Sequence, residues 1–293
     1  AERFPVFAHG PLVAAFSISA LAYSATLTGN WRISPLAWLV SFAVSLIFFL
    51  QLRIADEFKD AVEDRTFRPY RPVPRGLVSL RELGVVFAIG AAIQLAMTLW
   101  HYPPLTVILM VAWAYLALMS VEFFARDWLK ARPITYMWTH MFIMPLVDLF
   151  ATACQWMPTG GRPGGGLLWF LGASYANGLV VEIGRKIRRP DDEETGVETY
   201  SVLWGRRRAL VVWWGCALAV AGCAVMAARP IGFVLPIALT LGGGWLVMVV
   251  ATAPMWDARI SGKRMESVAG LWTLLLYLSL GPAAWWVLHP NLP

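Results

Sequence analysis

Asp56, Glu57, Asp60 and Asp64 crowd one short stretch of the chain. In RIADEFKDAVEDRTFRPYRPVPRG, Asp56, Asp60 and Asp64 recur at i, i+4 and i+8. On a helix they fall at about 0°, 40° and 80° around the axis, and Glu57 joins the same arc at about 100°. Like charges stacked this way destabilise a helix unless something neutralises them. Mg²⁺ does so when one or two carboxylates hold it together with phosphate oxygens. A metal set drawn from Asp56, Glu57, Asp60 and Asp64 is one reading; a solvated helical face with Arg53, Lys59, Arg65 and Arg68 as counterions is the other. The RPYRPVPRG that follows alternates Arg with Pro, which cannot stay helical. An extended stretch is expected there, presenting Arg68, Arg71 and Arg75 in a manner suited to phosphate. Ser79 to Glu82 has the form of a capping box and should start the next helix.

A second charged stretch, EIGRKIRRPDDEETGVETYSVLWGRRRA, is built differently. If the helix continues, Glu182, Arg185, Lys186 and Arg189 stand at about 0°, 300°, 40° and 340°, one acid among three cations. Such a face can neutralise an anion directly. Arg206, Arg207 and Arg208 read as an anchor for the apolar segment they precede. Elsewhere, ionisable or amide groups interrupt apolar runs at His140, Asp148 and Asn177. His140 and Asp148, two turns apart, either face a common cavity or make helix–helix hydrogen bonds. Glu122, Lys130 and Arg132 cluster where another apolar run ends. Cys154, Cys216 and Cys223 all lie in apolar runs without metal spacing, as small core residues would.

The elements that must position these groups are set by composition. Of 293 residues, 58% are hydrophobic and 14% charged, which excludes a water-soluble globular enzyme. Apolar runs near 11–29, 34–52, 83–100, 104–123, 135–156, 167–184, 209–228, 231–253 and 268–288 each match a bilayer core of about 30 Å. They lack barrel alternation, so the fold class is all-α: a polytopic bundle of nine transmembrane helices, 1–293 forming one domain. With nine spans, 21 of the 24 Lys and Arg, Arg3 among them, fall on one face; Arg32, Arg162 and Arg229 fall on the other. The rich face is expected to be cytoplasmic, in the inner membrane, with loops 53–82 and 185–208 as charged caps. The net charge of +6 is then a matter of topology, and no nucleic-acid partner is expected. The N-terminal AERFPVFAHG has no signal-peptide pattern, so the first span should direct insertion. Gly242 to Gly244 is the one candidate for the broken helix a transporter would show.

With these residues in view, DEFKDAVED followed by RPVPRG resembles the first signature of the UbiA superfamily of intramembrane prenyltransferases, NDxxDxxxD and then a turn of the RPxPxG kind. Asp56 takes the Asn place, Glu57 the first Asp, Asp60 and Asp64 the others, and Arg71 to Gly76 the basic turn. The family's second motif commonly reads DxxxD; Asp192, four residues before Gly196, matches its last Asp, while Arg188 stands where the other acid would be. The resemblance implies nine helices with caps after spans two and six. It implies Mg²⁺ on Asp56, Glu57, Asp60, Asp64 and Asp192, with Asp56, Asp60, Asp64 and Asp192 catalytic. Arg68, Arg71, Arg75, Lys130, Asn177, Glu182, Arg185, Lys186 and Arg189 would bind a prenyl diphosphate. The implied reaction ionises that diphosphate and passes the prenyl chain to an aromatic or other lipophilic acceptor in the lipid. A terpene cyclase on the same fold, or a non-catalytic subunit of a protein complex, are the alternatives.

Overall fold

The computed structural model describes residues 4–290, which form helices joined by turns; Arg3 lies outside the described residues. The helices are α1 (Val6–Thr28), α2 (Pro35–Lys59), α3 (Ala61–Phe67), α4 (Leu80–His101), α5 (Thr106–Ser120), α6 (Arg126–Lys130) and α7 (Pro133–Met141). After them come α8 (Ile143–Trp156), α9 (Gly166–Gly184), α10 (Tyr200–Trp204), α11 (Arg206–Ala228), α12 (Val234–Thr252), α13 (Gly262–Leu278) and α14 (Ala284–Leu288). Among the described residues nine segments are long and apolar enough to span a membrane, at the positions the apolar runs predict. The protein is a multi-pass membrane protein.

Two spans are built from two helices each. The fifth breaks between α7 and α8 at Phe142, because Pro145 has no N–H to give the Met141 carbonyl. The ninth passes through a π-turn over Ser279–Ala283, around Pro282. By contrast α12 runs unbroken through Gly242 to Gly244, with Gly244 set closely against Leu275 of α13. Gly244 serves packing, Gly242 and Gly243 meet nothing, and the transporter-type break is absent from α12.

Cross-contacts fix the alternation of the spans. At one end, Gln155 Nε2 donates to the carbonyls of Asn30 (3.1 Å) and Arg32 (3.0 Å), and Trp285 Nε1 to that of Trp31 (3.0 Å). At the other end the two charged loops meet each other. Helices α1, α8 and α9 are central, whereas α4 and α12 turn rows such as Val85, Ile89, Ile93 and Leu239, Leu246, Val250 outward, as lipid contact requires. Because lipid is as apolar as Leu, association relies on close packing and buried hydrogen bonds. The small faces of α9 and α11 meet at Gly184 and Trp213, whose Nε1 donates to the Val180 carbonyl at 2.7 Å. Tyr277 OH of α13 donates to Asp148 Oδ2 of α8 (3.3 Å) and Ser174 Oγ of α9 (3.2 Å), so Asp148 makes the helix–helix bond.

Candidate active site

The first carboxylate cluster sits where α2 ends. The helical ladder continues through it, Asp60 N to Asp56 O at 2.9 Å and Asp64 N to Asp60 O at 2.8 Å, with a jog at Asp60 (φ −88°, ψ 0°). The i, i+4, i+8 stacking is therefore real, and the chain handles each carboxylate differently. Asp64 is 1% exposed and enclosed by cations: Arg71 Nη1 donates to it at 2.6 and 2.8 Å, and Arg68 Nε lies 3.0 Å away. Asp56 is half-buried, with Arg53 at 3.5 Å and Lys59 at 4.0 Å. Glu57 is buried in the helix face. Asp60 makes no ion pair or side-chain hydrogen bond among the described residues. Burial, then repulsion from Asp56 and Asp64, pushes its carboxyl above the usual range.

The metal reading is thereby narrowed. Among the described residues no three His, Cys, Asp or Glu side chains converge tightly enough to hold a metal, and Asp64 is not an open ligand. Asp56 and Asp60 remain, and two carboxylates are what Mg²⁺ takes when phosphate oxygens and water complete its shell. The mutual repulsion that raises Asp60 is what such a cation would relieve. The counterion reading holds as well for Asp56 with Arg53 and Lys59, and for Asp64 with Arg68.

The Arg/Pro stretch is not extended. Arg71 N bonds Arg68 O, Arg75 N bonds Arg71 O and Gly76 N bonds Val73 O, each at 3.0 Å, and Gly76 takes φ +74°. Proline pre-sets turn geometry as readily as extension, and the Gly closes the turn. Arg68 and Arg71 thus point into the cap to hold Asp64, while Arg75 lies exposed at the end of the turn.

In the second loop α9 stops at Gly184. Lys186 N bonds Ile183 O at 3.0 Å in a tightened last turn, and Arg189, before Pro190, is extended at ψ 160°. The four-residue helical face is therefore not formed as predicted. Arg185 (Nη2, 2.5 Å) and Lys186 (2.9 Å) still fold back on buried Glu182, which is occupied by them and is not an open metal ligand. Arg189 turns away to Asp192 at 3.0 Å, and Asp192 also accepts from Gly262 N at 3.2 Å. Those two bonds hold the Asp192 carboxyl at about 2 and tie the loop to the start of α13. Neither Asp192 nor Arg189 joins the carboxylates of α2. Asn177 is likewise taken up, in a 3.2 Å exchange with Thr273, and Lys130 pairs with Glu63 at 2.5 Å.

What the fold brings together is the end of α2 and the end of α9. Asp56 is near enough to Arg185 for its charge to act on the guanidinium, so the acidic end of α2 and the cations that follow α9 lie at the same end of the bundle. The two loops close over that end by contacts without a sequence signature. Tyr70 OH donates to Glu194 Oε2 at 2.6 Å, and Arg188 Nη1 to Glu194 Oε1 at 3.1 Å. Gly196, at φ +77°, lies directly on the Phe67 ring, where any Cβ would overlap it. A third wall comes from the segment after α5, where Glu122, Phe123 and Phe124 all have positive φ (51°, 54°, 58°). Glu122 pairs with Arg126 at 3.3 Å, not with Lys130 or Arg132, and accepts from Tyr136 OH at 3.3 Å; Tyr136 OH in turn accepts from Lys59 Nζ at 2.9 Å.

The structure is thus an all-helical membrane bundle with two charged loops interlocked over one end. Residues 17–265 match the UbiA prenyltransferase family, and the chain belongs to it. A digeranylgeranylglyceryl phosphate synthase of Methanopyrus kandleri is 31% identical over 237 residues, covering 76% of this chain and 80% of the relative. Among solved structures, a UbiA homologue from Aeropyrum pernix K1 superposes with a TM-score of 0.68 at 16% identity, over 90% of this chain and 94% of that one. A UbiA homologue from Archaeoglobus fulgidus, bound to DMAPP and Mg²⁺, gives 0.62 at 12% identity over 100% of both chains. At those identities the likeness establishes the fold.

Proposed function

We propose that the protein transfers an isoprenoid chain from a prenyl diphosphate to the hydroxyl of a lipid acceptor of the glyceryl phosphate class, at the space between α2 and α9. The observation that carries this reading is that the Asp56 and Asp60 carboxylates end α2 at the same end of the bundle as Arg185 and Lys186, with Asp56 near enough to act on the Arg185 guanidinium. The donor diphosphate lies between the two pairs. Asp56 and Asp60 would hold Mg²⁺ against it, and Arg185 and Lys186 would neutralise it directly. When bound there, Mg²⁺ stabilises the charge of the departing diphosphate. Glu182 keeps both cations positioned, and the Arg68–Asp64–Arg71 knot holds the first loop in register with them. The relative's name supports the acceptor class, and the ligands of the Archaeoglobus structures, DMAPP or GPP with Mg²⁺, support the donor class and the metal.

Residues 1–293 are taken as one transmembrane domain, supported by a core continuous through the spans. The charged end is assigned to the cytoplasm and the bundle to the inner membrane, since 20 of the 23 Lys and Arg among the described residues belong to that end. The test is calorimetric titration of the protein in detergent with a non-ionisable prenyl thiolodiphosphate, with and without Mg²⁺. Binding that requires Mg²⁺ and is lost in Asp60→Asn is expected. Equal binding by wild type and variant would rule out the metal placement.

A further inference from the structure

Transfer to a hydroxyl has a half that the caps do not serve. Once the allylic C–O bond has broken with its electron pair leaving on the diphosphate, the acceptor oxygen bonds the allylic carbon and its proton must go to a base. Asp56 and Asp60 are committed to a cation, and Glu182 is saturated by Arg185 and Lys186. One buried group between α2 and α9 is not used in this way.

His140 lies on α7 five residues before Pro145 and is 6% exposed. Its ring stacks on Tyr136 (centroids 3.8 Å apart, 11° between planes) and meets Phe123 edge-on at 5.9 Å. Nδ1 is 2.8 Å from the Tyr136 carbonyl oxygen, which can only accept. The neutral imidazole therefore carries its proton on Nδ1 and its lone pair on Nε2. Nε2 is buried and has no hydrogen-bond partner among the described residues. Buried polar atoms are nearly always satisfied, so an unsatisfied acceptor fixed in one tautomer needs a reason.

Its surroundings supply one. Charged groups on two other spans act on the ring: Lys59 and Asp56 from α2, and Glu182 from α9. Tyr136 on its own helix hydrogen-bonds Lys59 and Glu122, and Tyr115 of α5 donates to the Thr139 carbonyl at 2.7 Å beside it. Phe123 is held on the ring by three successive L-residues in the left-handed region, a conformation that persists only where its surroundings impose it. A cleft of about 220 Å³ lined by Phe58, Lys59, Ser120, Val121, Glu122 and Arg126 borders the turn that carries Phe123, so two cations and one acid line it.

Resting on the prenyl-transfer reading, we propose that His140 Nε2 is the base that takes the acceptor's hydroxyl proton as its oxygen captures the allylic carbon, the acceptor's anionic end lying toward Lys59 and Arg126. The imidazolium so formed faces Asp56 and Glu182 and passes its proton on to water.

The test uses the full chain in nanodiscs with a prenyl diphosphate, Mg²⁺ and a glyceryl phosphate lipid. His140→Asn retains a donor for the Tyr136 carbonyl but no base; its transfer rate should fall about 10²–10⁴-fold. Binding of the prenyl thiolodiphosphate and acceptor-independent diphosphate release should be unchanged, because ionisation precedes capture. The decline of wild-type kcat/KM at acidic pH, where the imidazole is protonated, should vanish in the variant, and imidazole should restore transfer in His140→Ala. Near-wild-type transfer by His140→Asn, or parallel loss of analogue binding, would overturn the assignment. Failure of the wild type itself to bind the analogue would instead overturn the reading on which it rests.

Discussion

Asp64 and Asp60 stand one helical turn apart and should respond in opposite ways to substitution. Asp64→Ala strands two guanidinium groups, Arg68 and Arg71, whose side chains are only 13% and 17% exposed. Removing one partner of a buried ion pair costs about 3–5 kcal/mol. Partial exposure of the arginines puts this case at the low end, about 3 kcal/mol, since water screens what remains. At roughly 2–4 °C per kcal/mol, the melting temperature should drop by about 6–12 °C. Asp60→Asn, by contrast, removes a carboxylate that Asp56 and Asp64 repel, and should leave the melting temperature unchanged or slightly higher. Mg²⁺ with a prenyl diphosphate should raise the melting temperature of the wild type but not that of Asp60→Asn, since only a bound ligand stabilises by mass action. Thermal unfolding in detergent, followed through the 16 tryptophans, reads all of these. The division into an anchoring and a ligating carboxylate is refuted if Asp64→Ala melts with the wild type while Asp60→Asn is destabilised.

Gly196→Ala should destabilise the loops by about 1–2 kcal/mol for its left-handed backbone alone, with more from the Phe67 ring; melting of Gly196→Ala with and without Phe67→Ala should show partial rescue. The Asp192 carboxylate, held at about 2, contributes its tie to Gly262 in full above the ordinary carboxylate range and loses it as pH falls toward 2. Amide exchange at the start of α13 should therefore rise across that interval in the wild type and be raised at all pH values in Asp192→Ala. Tyr70→Phe deletes the 2.6 Å bond to Glu194 and should speed proteolysis between residues 190 and 205 while sparing the spans.

The spans were legible because a bilayer demands continuous apolar runs, and the Ser79–Glu82 box closes as its spacing requires, Ser79 N to Glu82 Oε2 at 2.7 Å. Asp56 and Asp60 were legible because i, i+4 stacking survives any gentle break in a helix. Their partners were not. Which cation takes Asp64 depends on RPYRPVPRG curling into turns, and proline licenses both turn and extension. The early end of α9 turned Arg189 from the site, and helical-wheel angles assume that a helix continues. The latch from Tyr70 to Glu194 spans 124 positions, beyond the reach of any local pattern. The left-handed run at Glu122, Phe123 and Phe124 holds neither Gly nor Asn, the residues that advertise such a backbone.

The central claim is a transferase whose metal side is Asp56 with Asp60 and whose acceptor is a glyceryl phosphate lipid. Its most direct test is turnover of a radiolabelled prenyl diphosphate with such a lipid and Mg²⁺, products identified by mass spectrometry. Formation of the ether-linked lipid by the wild type, with none from Asp60→Asn at unchanged melting temperature, is the predicted result. Equal product from the variant, or label appearing only in a cyclised hydrocarbon without acceptor, would contradict the account.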